Sequence, residues 1–258
     1  MTIRTTAWPS GTPCWVDLAV PDVSAATAFY REVMGWTFVD TGEEFGHYHI
    51  AQTGGHAAAA IGPIMQEGQP AAWTVYLASE DADATAKLIT DNGGAIMGGP
   101  MDIPGSGRML IAQDAVGGTF GVWQAAGMVG AEIVNEPGSV TWTDARLTDT
   151  EAGKTFYAAV FDYEYTPMPG APDDYSTFSV DGEVRGGIGG MMGAPAAAPS
   201  HWLTWFSVAD VDAAVAAVEA AGGSVVSPIA DTPFGRMGVV TDPFGAGLGL
   251  HTAPAAAG

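Results

Sequence analysis

The chain carries one cysteine, Cys14, and two lysines, Lys87 and Lys154, and its eight basic residues face 29 acidic ones over 258 positions. A single thiol excludes an intramolecular disulfide and a thiolate-rich zinc centre. The net charge of −21 repels phosphate backbones and anionic lipid, so no nucleic acid and no membrane surface is expected as a partner. The plain reading of that charge is solubility of an Ala- and Gly-rich chain; attraction of a cationic ligand is the sharper one. No run is apolar for long enough to span a bilayer. The segment Met1 to Trp15, with one arginine, two prolines and no apolar stretch, does not resemble a signal peptide. A soluble, cytoplasmic protein is expected, as a monomer or homodimer. The glycine-rich stretch Gly182 to Gly193 lacks the Lys-Ser/Thr pair and the strand-then-helix setting of a phosphate loop. It suits a closely approached strand, and no cofactor is expected.

What the chain does have is a repeat. Trp15-Val16-Asp17, Asp22 and Phe29-Tyr30 recur with identical spacing as Trp142-Thr143-Asp144, Asp149 and Phe156-Tyr157. Trp73, Asp81, Asp83 and Gly93-Gly94 recur as Trp202, Asp210, Asp212 and Gly222-Gly223. Gly107-Arg108-Met109, Asp114 and Gly117 recur as Gly235-Arg236-Met237, Asp242 and Gly245. The halves run over 14–125 and 140–252, joined by a linker around Glu132 to Ser139.

Each half reads as two βαβββ units. Cys14 to Val20 alternates like a strand. Asp22 then caps a helix whose apolar face is Ala25, Ala26, Phe29, Tyr30 and Val33, and Gly35 ends it. Short strands follow near Thr37–Asp40, Tyr48–Gln52 and Ala57–Ile61. The second unit has a strand at Trp73–Ala78, a helix from Asp81 to Asn92, and a hairpin from Met109–Gln113 to Thr119–Trp123. The class is α+β, with helices packed on the outside of curled sheets.

The Asp-x-x-x-Ala-x-x-Phe-Tyr helix with Gly35-Trp36, the Ala209-Asp210-Val211-Asp212 helix start, Gly222-Gly223, and Gly238-Val239-Val240-Thr241-Asp242-Pro243-Phe244-Gly245-Ala246 resemble the vicinal oxygen chelate superfamily of glyoxalases, bleomycin-resistance proteins and extradiol dioxygenases. Four motifs in order, present twice, cover nearly the whole chain. The resemblance implies two tandem glyoxalase-like domains built from four βαβββ units. It is nearest to a duplicated, tryptophan-rich branch known as hydroxylases or antigens, with members in anthracycline gene clusters.

In metal-dependent members of that superfamily the ligands come from the first and last strands of each unit. The first-strand positions fall here on Trp15, Thr74, Trp142 and Leu203, and the last-strand positions on Gly121 and Gly249, with the earlier equivalents near Gly62 and Gly189. A divalent metal needs three or four N, O or S donors, and this set offers one hydroxyl, so no metal is expected. His47 and His49, two apart on an expected strand, face the same way; partly exposed strand residues are the plainer reading. His56 and His201 sit in loop-like settings. Cys14 reads as a small buried hydrophobe.

Period-two alternation places Trp15 with Asp17, Thr74 with Tyr76, Trp142 with Asp144 and Arg146, Leu203 with Trp205, and Gly121 with Trp123 on one face of their strands. The resemblance makes that face the concave one. Of these, Trp15, Asp17, Thr74, Tyr76, Trp123, Trp142, Asp144, Arg146 and Trp205, together with His251, are the candidate ligand-binding set, and tryptophans packed as ordinary core are the alternative. The lining suits a planar aromatic small molecule, with Asp17 and Asp144 available to a ligand amine or hydroxyl, and Gly121 and Gly249 leaving room for it. Arg146 is either the partner of Asp144 or a reader of an acidic group, and the first half has Ala19 in its place. The expected function is a metal-independent binding protein of the antibiotic-resistance or biosynthetic-accessory kind. The alternative is a lyase, isomerase or hydroxylase-like enzyme with Asp17, Asp144 or His251 as acid/base. A third reading makes one half a structural remnant supporting the other. Two pairings of the units are open: a cup closed within each half, or the first unit with the fourth and the second with the third.

Overall fold

The computed structural model describes residues 3–66, 68–194 and 197–253. The first half comprises β1 (Pro13–Val20), α1 (Val23–Met34), β2 (Thr37–Asp40), β3 (His49–Thr53), β4 (His56–Pro63), β5 (Ala72–Ala78), α2 (Ala82–Asp91), β6 (Ala95–Ile103), β7 (Gly107–Gln113) and β8 (Thr119–Ala125). The second comprises β9 (Val140–Arg146), α3 (Thr150–Phe161), β10 (Glu164–Pro167), β11 (Ser176–Val180), β12 (Glu183–Gly189), β13 (His201–Ser207), α4 (Val211–Ala220), β14 (Ser224–Val225), β15 (Ala230–Thr232), β16 (Gly235–Thr241) and β17 (Gly247–Thr252). Among the described residues no helix is long and apolar enough to cross a membrane.

Each helix begins at an aspartate that recurs in the sequence. Asp22, Asp81, Asp149 and Asp210 accept the backbone N–H three residues on, from Ala25, Ala84, Ala152 and Ala213, satisfying a donor that the first turn leaves orphaned. Gly35 closes α1 at φ 69°, a left-handed conformation that a side chain resists.

The sheet pairing follows the halves. In the first, the strands run β2-β3-β4-β1-β5-β8-β7-β6, parallel at β4–β1 and β5–β8 and antiparallel elsewhere. The two units meet at β1–β5, where Asp17 lies opposite Thr74 and Trp15 opposite Tyr76. The second half repeats this as β10-β11-β12-β9-β13-β17-β16, with β14 and β15 together on the far edge of β16. One bridge, His201 to Thr119, links β13 to β8. Each cup is therefore closed within its own half.

The helices follow the other pairing. α1 packs on α4, and α2 on α3, so the helix layers of the two halves face each other. One continuous buried core results. Val16, Leu18 and Val20 enter it from β1, and Phe206, Leu248 and Leu250 from the second sheet. The opposite, helix-free faces of the sheets are the concave ones.

Candidate functional site

In the first cup, β1 sends Trp15 and Asp17 away from the core. The indole Nε1 of Trp15 donates to Tyr48 Oη at 2.9 Å, and the Tyr48 and Tyr76 hydroxyls both donate to Asp17 Oδ2 at 3.0 Å. Asp17 is half-buried. Burial raises its carboxyl to about 6, an effect the two phenol hydrogen bonds only partly offset. Burial and the neighbouring carboxylate hold both phenols well above their ordinary range, so they stay donors. Thr74 lies half-exposed opposite Asp17.

One end of this cup is covered by the chain's own linker. Trp123 Nε1 donates to the Met128 carbonyl at 2.9 Å and Trp8 Nε1 to the Ala131 carbonyl at 3.2 Å. The Ala131 N–H reaches the Cys14 carbonyl at 2.7 Å, and the Glu132 N–H and carboxylate bond the carbonyl and N–H of Ala57 at 2.8 and 2.9 Å. Trp15, Tyr76, Trp123 and Ala131 form a buried apolar cluster with Trp8, Met128 and Val134 packed against it. Cys14 is buried in the same cluster, and burial pushes its thiol up.

The second cup is wired differently. Trp142 Nε1 donates to Tyr175 Oη at 2.9 Å, repeating the Trp15–Tyr48 pair. Asp144, however, takes Trp205 Nε1 on Oδ1 at 2.6 Å and Arg146 Nε on Oδ2 at 2.9 Å. Both of its oxygens are committed within the protein, so it is not the free acceptor for a ligand amine that the sequence suggests. His251 Nε2 donates to the Phe234 carbonyl at 2.8 Å. Its Nδ1 is buried without a partner among the described residues.

Two expectations give way. Gly121 and Gly249 do not leave open space: the Tyr76 ring lies over Gly121 and the Trp205 ring over Gly249, so closely that a Cβ would collide with either. Gly62 and Gly189 repeat the arrangement beneath Tyr48 and Tyr175, whose rings a Cβ would meet at 2.8 Å. His47 and His49 do not share a strand face either. His47 lies in a turn at φ 55° with Nδ1 on Asp40 Oδ2 at 2.9 Å, and His49 Nδ1 bonds the His47 carbonyl at 2.6 Å.

All four last-strand positions are thus glycines roofed by aromatic rings, while Trp15, Thr74, Trp142 and Leu203 occupy the first-strand ones. A ligating carboxylate or imidazole has neither a side chain nor a space to project from. These residues do not fit a divalent metal, and among the described residues no group of three or more His, Cys, Asp or Glu is placed to hold one.

Tyr48 and Tyr175 were not singled out in the sequence although the repeat marks them: each lies 33 residues after its tryptophan donor. They precede β3 and β11, in loops where alternation gives no signal.

Two curled sheets, each closed from a pair of βαβββ units, define the vicinal oxygen chelate fold. The chain belongs to the Glyoxalase/Bleomycin resistance protein/Dioxygenase superfamily, whose model matches residues 13–124 and 127–250. It is 37% identical to CFP32 of Mycobacterium tuberculosis over 92% of each chain, and 36% identical to the anthracycline biosynthesis protein DnrV of Streptomyces peucetius over 98% of each. Among solved structures it is similar to the Mn(II)-bound glyoxalase from Novosphingobium aromaticivorans, with a TM-score of 0.65 at 15% identity, over 95% of this chain and 82% of that one. At that identity the likeness concerns the fold.

Proposed function

We propose that this protein is a metal-independent small-molecule binding protein of the biosynthetic-accessory or antibiotic-resistance type, taking a planar aromatic, polyketide-like ligand on its concave faces. The observation that carries the reading is the replacement of chelating positions by glycines roofed with Tyr48, Tyr76, Tyr175 and Trp205. Large rings beside a few polar groups favour stacking of a flat ligand over coordination of an oxyanion. The anthracycline biosynthesis relative DnrV supports that ligand class. Titration of the intrinsic tryptophan fluorescence with anthracycline-type polyketides is expected to give saturable quenching. Absence of quenching across such a panel removes the ligand class, and stoichiometric zinc, nickel, manganese or iron in the purified protein overturns the metal-independent reading.

A second reading, a lyase, isomerase or hydroxylase-like enzyme, draws on Asp17. Its carboxyl titrates near 6, and its Oδ1 accepts no hydrogen bond from the described residues, whereas each oxygen of Asp144 accepts one. Turnover that rises through pH ~6 and vanishes in Asp17→Asn supports this reading. Turnover unchanged by that substitution sinks it.

A further inference from the structure

Two aspartates hold the same place in the two cups and meet opposite fates. Asp17 on β1 and Asp144 on β9 stand opposite Thr74 and Leu203, and neither pairing shifts register between Trp15 and Ala19 or between Trp142 and Arg146. Alternation therefore holds across both stretches, with Val16, Leu18 and Ala145 turned into the core. Ala19 shares the face of Asp17 as Arg146 shares the face of Asp144.

Arg146 settles the second carboxylate. Its Nε donates to Asp144 Oδ2 at 2.9 Å while Trp205 holds Oδ1, and Asp144 is left 3% exposed. The guanidinium carbon lies 6.0 Å from the centre of the Trp205 ring, within reach of its π-face. A carboxylate at this point of the fold is thus met by a cation beside an aromatic ring. The first half has Ala19 instead of that cation. Burial and the Tyr48 and Tyr76 hydroxyls are what act on the Asp17 carboxyl, with no basic group among them. Both phenols share Oδ2, whereas Oδ1 accepts nothing from the described residues and is not sealed from solvent. Thr74 is half-exposed where the second half has the buried Leu203. The linker crosses elsewhere. It bonds β1 at Cys14 and β4 at Ala57, each three residues from the level where Asp17 pairs with Ala60, roughly 10 Å along the strands. A half-buried carboxylate without a counter-charge is costly, and the duplicate shows which kind of group relieves it.

We propose that the first cup holds an ammonium-recognising subsite, in which Asp17 Oδ1, with Thr74 beside it, receives a protonated amine borne by the ligand, and that Arg146 fills the corresponding subsite of the second cup from within the chain. An ammonium brings three donors and no acceptor, which suits an open carboxylate oxygen next to a hydroxyl. The net charge of −21 favours the approach of a cation. The inference rests on the planar-aromatic reading above and narrows it to aromatic amines bound in the first cup.

The test compares 2-(aminomethyl)anthraquinone with 2-(hydroxymethyl)anthraquinone by tryptophan quenching on the full chain and on Asp17→Asn and Ala19→Arg, with each variant's fold checked by its urea midpoint. The amine is expected to bind at least about tenfold more tightly than the alcohol. Asp17→Asn should bring that ratio close to one. Ala19→Arg, which supplies the cation from within as Arg146 does, should do the same, and the asparagine result stands even if the arginine variant does not fold. Equal binding of amine and alcohol by the unmodified protein overturns the ammonium subsite and leaves the aromatic reading intact. A preference that survives in Asp17→Asn belongs to the general negative field of the protein and overturns the assignment to Asp17. A preference that survives in folded Ala19→Arg overturns the equivalence with Arg146. Failure of both probes to bind overturns the subsite together with the reading beneath it.

Discussion

The Tyr157 hydroxyl, on α3 of the second half, donates to the carboxylate of Asp114 in the first half at 2.8 Å. Tyr30 returns the contact with the halves exchanged, donating to Asp242 at 3.1 Å. Each phenol is itself held by an indole, Trp202 Nε1 at 2.8 Å and Trp73 Nε1 at 3.1 Å. Each carboxylate also accepts two backbone N–H groups of its own turn, from Val116 and Gly118 or from Phe244 and Ala246. The result is a reciprocal Trp–Tyr–Asp clasp across the faces where α1 meets α4 and α2 meets α3. Burial raises the carboxyls of Asp114 and Asp242, and the donors gathered on them oppose that shift.

Tyr157→Phe removes one hydroxyl and leaves two buried partners short, the Trp202 N–H and one oxygen of Asp114. Unsatisfied buried groups cost about 1–3 kcal/mol each, so a loss of at least ~1–3 kcal/mol is expected from Tyr157→Phe, and a similar loss from Tyr30→Phe. Urea midpoints measure both. Losses within ~0.5 kcal/mol of zero show that the clasp contributes nothing net to stability.

Gly249→Ala places a methyl where the Trp205 ring lies. The ring must move, and with it goes the 2.6 Å hydrogen bond to Asp144. Overpacking of this kind costs about 1–3 kcal/mol. The indole should also lose its shielded emission, so a red-shifted fluorescence spectrum is the second readout. An unshifted spectrum with full stability refutes the close approach.

The fold was legible because its signals are local. The capping aspartates, Gly35 and the alternation of Cys14 to Val20 each act within a few residues, and the duplication states them twice. Strand β6 was missed because Gly98, Gly99 and Pro100 interrupt its alternation, and its register against β7 shifts there. The recurring Trp73, Asp114, Tyr30 and their counterparts were visible as a repeat. Their task was not, because it is met by a partner in the other half. The cup residues suffered similarly: Gly121 reads as space in a sequence, and only the register that sets Tyr76 beside it reveals the ring that fills the space.

Gly130 tests the linker's role. At φ 98° it lies so close to the Cys14 carbonyl that a Cβ would collide with it. Gly130→Ala is therefore strained twice, and a cost of ~1–3 kcal/mol is expected. Cys14 is 2% exposed, so its thiol should resist a disulfide reagent in the native protein and react faster in the variant as the linker lifts. Equal rates in both would mean that the linker does not guard the first cup.

Asp17 makes stability depend on pH. Its carboxyl moves from 3.8 when unperturbed to about 6 in the fold, so the folded chain holds the proton more tightly than the unfolded one. The stabilisation is fully present below pH ~4 and is lost as pH rises through ~6, a difference of about 3 kcal/mol. Asp17→Asn stays neutral throughout, and its amide oxygen accepts from Tyr48 and Tyr76 as the carboxylate does. The variant should match the unmodified protein near pH 4 and exceed it by ~2–3 kcal/mol near pH 7.5. Asp114 and Asp242 shift in the same direction and are common to both proteins, so they cancel when urea midpoints are compared pH by pH. A difference that stays flat from pH ~4 to ~7.5 would mean that the phenols and residual water hold the Asp17 carboxylate as well as bulk solvent does.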